Sequence, residues 1–285
     1  MKGLIVTADD FGVAMEVNEA VEVAHRTGIL TAASLMVTGP AAEDAIARAR
    51  RLTSLRVGLH LVLVDGRPAS QPSSIPDLVQ PNGLFRTDMA RFGAKIFLLP
   101  NVRRQVAAEI TAQFEAFQAT GLALDHVNAH KHFHLHPTIS GLILEIGPRF
   151  GMRAVRVPSE PRTVLVLAEP RMNPGSNYLI SPWLRALRSK VEQADLLVPQ
   201  SVFGTAWSGA MVARRLDALL RCLPQGLNEI YFHPATSDRF DGAVPGYRYA
   251  EELAALTAPN IVEATRRTQA PRGGYADFDV ARACA

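Results

Sequence analysis

The residues best equipped for chemistry are Asp9, Asp10, His60, His130 and His233, and each lies at or near the end of a short apolar run. In Thr7-Ala8-Asp9-Asp10-Phe11-Gly12 two adjacent carboxylates close such a run. Burying that charge is costly unless a cation offsets it. An aspartate there could instead cap the helix that follows. As a pair they suit a metal site, one carboxylate binding the ion and the other activating water. Neighbours on a strand face opposite ways, so the turn at Phe11-Gly12 has to bring both to one place. His60 sits inside the apolar Gly58-Leu59-His60-Leu61, where a histidine is either a satisfied core residue or a ligand.

Residues 125–137 carry His126, His130, His132, His134 and His136. On an extended chain the period-two histidines face one way about 6.6 Å apart, too far for all of them to reach one ion at about 2 Å. One or two can be ligands, and the others touch substrate, support the ligands or serve the fold. His130 is preferred because it follows the preceding strand soonest, while spacing alone leaves His132 and His134 as alternatives. His233, between Phe232 and Pro234, suits a general acid, since an imidazole near neutrality both holds and releases a proton. Arg156 ends another short run and could pair with Asp9, bind substrate or form an ordinary surface ion pair.

The elements that must position these residues alternate between strand and helix. Strand-like runs are read at Gly3–Ala8, Leu30–Val37, Arg56–Val64, Leu122–Ala129, Arg153–Val157, Leu196–Ser201, Asn228–Phe232 and Asn260–Ala264. Helical spacing is read at Met15–Arg26, Ala41–Arg51, Gln105–Thr120, Thr138–Phe150, Trp183–Ala194, Val212–Cys222 and Ala250–Thr257. Alternation of this kind implies a parallel sheet. Seven or so units in one chain of this length favour an α/β barrel of seven to eight repeats over an open doubly wound sheet. Either way, chemistry belongs at the C-terminal strand ends. Asp9, Asp10, His60, His130 and His233 fall there, on four different strands. One domain over residues 1–285 is expected, with loop insertions near 65–100 and 158–182, both rich in proline.

Bulk properties narrow the function classes. The 285 residues carry 30 Lys and Arg against 27 Asp and Glu, a net charge of +3 without long runs of one sign, which argues against a nucleic-acid partner. Two cysteines, Cys222 and Cys284, exclude a disulfide framework and fit a reducing cytoplasm. No apolar stretch is long enough to cross a bilayer. The segment Arg91–Arg104 sets Phe92, Ile96, Phe97, Leu98 and Leu99 among basic residues. It could touch a membrane peripherally at its inner face or pack in a core. A homodimer is compatible with the chain.

On Thr7–Gly12, Gly58–Leu61, Asn128–Pro137 and His233-Pro234, nearly end to end, the chain resembles the YdjC-like (ChbG-like) carbohydrate deacetylases, relatives of the NodB-type polysaccharide deacetylases. Arg56–Pro68, Leu124–Pro137 and the length are similar to the hopanoid biosynthesis-associated (HpnK) subgroup. The resemblance implies a deformed barrel and a metal-dependent hydrolase that removes acetyl from an N-acetyl amino sugar, here one linked to a hopanoid lipid, or else a soluble chito-oligosaccharide. A non-catalytic metal-binding protein is the remaining alternative. It further implies Asp10, His60 and His130 as ligands of one divalent cation (Zn2+ or Mg2+), Asp9 as base and His233 as acid. Many relatives carry Asp where this chain has Asn128, a departure that bears on substrate contacts more than on metal binding.

Overall fold

The computed structural model describes residues 2–170 and 181–279. In chain order the elements are β1 (Lys2–Phe11), α1 (Met15–Thr27), β2 (Ala32–Leu35), α2 (Ala42–Arg51), β3 (Arg56–Leu61), α3 (Met89–Leu98), α4 (Pro100–Ala119), β4 (Leu124–Ala129), α5 (Pro137–Ile146), α6 (Arg162–Ala168), α7 (Ser181–Gln193), β5 (Ser201–Phe203), α8 (Ala213–Arg221), β6 (Gly226–Phe232), α9 (Tyr249–Thr257) and α10 (Pro259–Arg267). The six strands form one parallel sheet in the order β4-β3-β2-β1-β6-β5. Its strands are buried along nearly their whole length, β6 in all but its first residue, as helix-covered parallel strands must be.

The segment 153–157 runs beside the outer strand β4 and joins it to Leu197, just ahead of the other outer strand, β5. Val127 bridges Val155, and Ala154 bridges Leu197, both in parallel sense. The amide of Val127 donates to Ala154 O and that of Val155 to Leu197 O, each near 3 Å. The sheet is curled into a half-barrel of parallel strands, in keeping with the alternation, and the run read as a strand at Arg153–Val157 contributes isolated bridges rather than a regular ladder.

Several elements depart from the sequence reading. Asn260–Ala264, read as a strand from Ile261 and Val262, is the middle of α10. Pro259 opens that helix in its first turn, where the missing amide costs nothing, and Ile261 and Thr265, one turn apart, are its buried pair. The stretch near 65–100 is not all loop. Asp88 caps α3 by accepting from the amide of Arg91 at 3.0 Å, and the helix buries Phe92 and Ile96. The stretch near 158–182 contains α6, and its residues 171–180 lie outside the described ones. Cys284 lies outside them too.

Candidate active site

Two neighbouring aspartates reach one cavity because the strand is broken at Asp10 itself. The β1–β2 register runs Ala8 to Ala33 and then Phe11 to Leu35, so one extra residue is inserted in β1. Asp10 takes a left-handed φ of 60° and Gly12 one of 101°. A bulge re-aims a side chain, and a non-glycine residue at positive φ is strained enough to need support. Buried Asn18 of α1 supplies it, accepting from the amide of Gly12 at 2.8 Å and donating to Ala41 O at 2.9 Å. The cap position of α1 is Ala14, without a side-chain hydrogen bond, so neither aspartate serves as its cap.

Asp10, His60 and His130 converge: one carboxylate oxygen and one ring nitrogen from each histidine lie within 4.8 Å of one another. His60 Nε2 is 3.2 Å and His130 Nδ1 3.1 Å from Asp10 Oδ1. The orientation of His60 is set from behind. Its Nδ1–H donates to Asn128 Oδ1 at 2.7 Å, so Nε2 is left facing Asp10 with its lone pair available. A pinned far nitrogen is a recurring property of metal-binding histidines. The donor set (one carboxylate oxygen and two imidazoles) fits a divalent cation with open positions. Burial opposes the charge on Asp10, but His130 and His60 hold its carboxyl well below the usual carboxylate range.

Asp9 is buried beside them. Its Oδ1 accepts from Ser34 Oγ at 2.9 Å and Asn128 Nδ2 at 3.1 Å, and its Oδ2 from Arg156 Nη1 at 2.5 Å. A carboxylate offers about four lone-pair sites, so one on Oδ2 remains. Burial alone would raise its pKa, yet Arg156, together with His60 and His233, outweighs burial and holds Asp9 ionised well below the ordinary range. Arg156 is fully buried, forks through Nε and Nη2 onto Glu229 at 2.7–3.1 Å, and lies 4.6 Å over the Tyr231 ring. Glu229 also accepts from Thr7 Oγ1 at 2.7 Å and from the Tyr275 hydroxyl. One guanidinium thus joins two carboxylates in a closed, hydrogen-bonded network.

The histidine tract is not extended. His130–Leu135 is a tight 3-10 segment with left-handed φ near 53° at Lys131 and 52° at His132, so successive histidines point to different partners. His132 Nε2 meets the Tyr231 hydroxyl at 2.9 Å, and burial keeps its pKa well below the usual histidine value. His134 Nε2–H donates to Arg156 O at 2.9 Å, with its pKa pushed down to about 3 by burial. His126 stacks on Tyr275 at 4.5 Å and links Asp125 to Ser34 at 2.9 and 3.0 Å. Only His130 of the tract meets Asp10 and His60. Asn128 and His134 are fully buried, so they support the site from behind.

His233 follows β6 and lines the same cavities as Asp9, Asp10 and His130. Its amide donates to Glu252 Oε2 at 2.5 Å, its ring lies between Tyr231 and Tyr247 at 5.8 and 5.3 Å, and its Nδ1 has no hydrogen-bond partner among the described residues. Ser34, Glu229, Glu252, Tyr231 and Tyr275 escape the sequence reading. Glu229, a charge inside the apolar run Leu227–Phe232, was the one visible sign, since a buried carboxylate demands a partner.

Fold and site together define a parallel α/β barrel with an Asp-His-His cluster and a second, arginine-held carboxylate at the C-terminal strand ends. The chain belongs to the YdjC-like protein family, which it matches over residues 3–267. It is 30% identical over 263 residues to the carbohydrate deacetylase of Brevibacillus brevis, covering 90% of this chain and 92% of that one. It is 31% identical to the carbohydrate deacetylase of Geobacillus stearothermophilus, with 90% of each covered. Among solved structures, an Enterococcus faecalis protein named for cellobiose-phosphate cleavage superposes with a TM-score of 0.76 at 23% identity, over 97% of this chain and 98% of that one. That likeness is one of fold.

Proposed function

We propose that this chain is a metal-dependent carbohydrate N-deacetylase, acting on an N-acetyl amino sugar, with a hopanoid-linked N-acetylglucosamine as the leading substrate. The observation that carries the reading is the convergence of Asp10, His60 and His130 beside Asp9 and His233 at one cavity. The carbohydrate deacetylases similar to it over nine-tenths of its length support the same reaction.

Asp10, His60 and His130 would hold the ion, whose contribution is to polarise the acyl carbonyl and acidify water. Mixed nitrogen and oxygen donors suit zinc, and magnesium is the alternative. Asp9, kept ionised by Arg156, accepts the proton of the attacking water through its free lone pair. His233 gives a proton to the departing nitrogen, and Glu252 holds its backbone in place. Asp10→Ala or His130→Ala is expected to abolish both metal binding and turnover.

Exposed Phe97, Leu98 and Leu99, beside Arg91, Lys95 and Arg104, support a lipid-linked substrate met at a membrane surface. No helix among the described residues is long and apolar enough to cross one. The test is incubation of the metal-loaded protein with N-acetylglucosaminyl hopanoid and with chito-oligosaccharides, following loss of the acetyl group by mass. Loss from the hopanoid is expected. Loss from the soluble sugar alone would overturn the lipid-linked assignment, and loss from neither would overturn the deacetylase reading.

A further inference from the structure

Two cavities meet over Asp9, Asp10, His130 and His233, and they differ in chemistry. One, of about 490 Å3, sets the hydrogen-bonding groups of Lys131, His132, Ser208 and Tyr247 among Ala129, Ala243 and Pro245. The other, of about 280 Å3, is walled by Val13, Val17, Met36, Val62, Phe240 and Tyr249. The charged residues it adds beyond the shared floor, Arg67 and Asp241, are exposed ones at its rim. Tyr249 presents its ring, because its hydroxyl accepts from the amide of Val244 at 2.8 Å. Leu84, one of the large apolar side chains left exposed, also lines this lobe, and Val244, another, lies where the two cavities meet.

A scissile amide at the junction has two ends. The sugar, with a hydroxyl on nearly every carbon, needs the lobe that supplies donors and acceptors, which leaves the apolar lobe for the acyl group. An acetyl methyl would fill a small part of it, since a cavity of about 150 Å3 with aliphatic walls already takes up benzene. Resting on the deacylase reading above, we propose that the apolar lobe is an acyl-chain site, and that the substrate class extends to amino sugars N-acylated with chains longer than acetyl. Water's oxygen bonds to the acyl carbon, the C–N bond breaks and the nitrogen takes a proton, so a carboxylate and a free amine leave whatever the chain length.

The test is a series of N-acetyl-, N-butyryl- and N-hexanoyl-glucosamine with metal-loaded protein, following release of the free amine. Each buried methylene favours binding about fourfold, so the two added from acetyl to butyryl should raise kcat/KM about 16-fold. Hexanoate should inhibit at lower concentration than acetate. Val13→Phe and Met36→Trp, which fill the lobe from different sides, should each cut the hexanoyl-to-acetyl ratio at least fivefold. That ratio is independent of how much of a variant folds. Acetyl hydrolysis with rates that fall steadily along the series would overturn the acyl site while leaving the deacetylase reading intact. So would a rise along a series of alkyl glycosides of N-acetylglucosamine without one along the acyl series, which would put the aglycone in the lobe. Release of no acyl group from any substrate would sink both.

Discussion

Asn128 joins the two halves of the site. Its carbonyl fixes the ring of His60, and its amide nitrogen donates to Asp9 and to Ser34 at 3.1 and 3.0 Å. An aspartate there could accept from His60 but would set a second carboxylate against Asp9, so the amide suits this surrounding. Asn128→Ala should weaken divalent-metal binding about 10- to 100-fold in a calorimetric titration, and unaltered affinity would show that His60 is oriented without it. Arg156 bears a different load. Replacing it with Met leaves Asp9 and Glu229 buried and uncompensated, at a cost of about 3–5 kcal/mol in urea unfolding. A loss below about 1 kcal/mol would mean that water or a proton neutralises the pair. The side chains that converge at the cavity were visible in sequence because Asp and His at strand ends are conspicuous among apolar neighbours. Arg156 was visible too, as a candidate partner of Asp9 at the end of its own short run, but Ser34 and Glu229 were not identified as supports, since they lie 25 and 220 or more residues from the groups of β1 that they contact, and no local pattern records such pairing.

The elements show where local patterns fail. The step that lets Asp9 and Asp10 share a cavity is a bulge with its strained residue at Asp10, one position before the turn that the sequence suggests. The tract His130–Leu135 reads as extended by its alternation, yet left-handed backbone at Lys131 and His132 separates its histidines. That geometry has a consequence in acid. His134 is neutral and buried with its pKa lowered to about 3, whereas the unfolded chain takes up a proton near pH 6.5. The stability that the neutral imidazole contributes is present above pH 6.5 and is lost as pH falls from there toward 3. Between pH 7.5 and 5 this amounts to about 2 kcal/mol. The unfolding free energy of the metal-free His134→Gln variant should therefore fall by that much less than the wild type over the same interval. Equal slopes would show that His134 is protonated in the folded protein.

In the molecule as a whole, the barrel is what gathers residues from positions 9 to 252 at one mouth. Its general form was legible from alternating elements and from proline and glycine at helix ends. The closing seam was only half legible, because a segment held by two isolated bridges has the composition of a strand without its ladder. The β-branched pair Ile261-Val262 misled in the other direction, as tertiary packing and Pro259 place it in a helix. The central claim is that the barrel mouth gathers three particular side chains into one cation site. Chelator-treated protein titrated with Zn2+ by calorimetry tests it most directly, comparing the wild type with Asp10→Ala, His60→Ala, His130→Ala and His132→Ala. One tight equivalent is expected for the wild type and for His132→Ala, and none for the other three. Tight binding that survives His130→Ala but is lost in His132→Ala would contradict it.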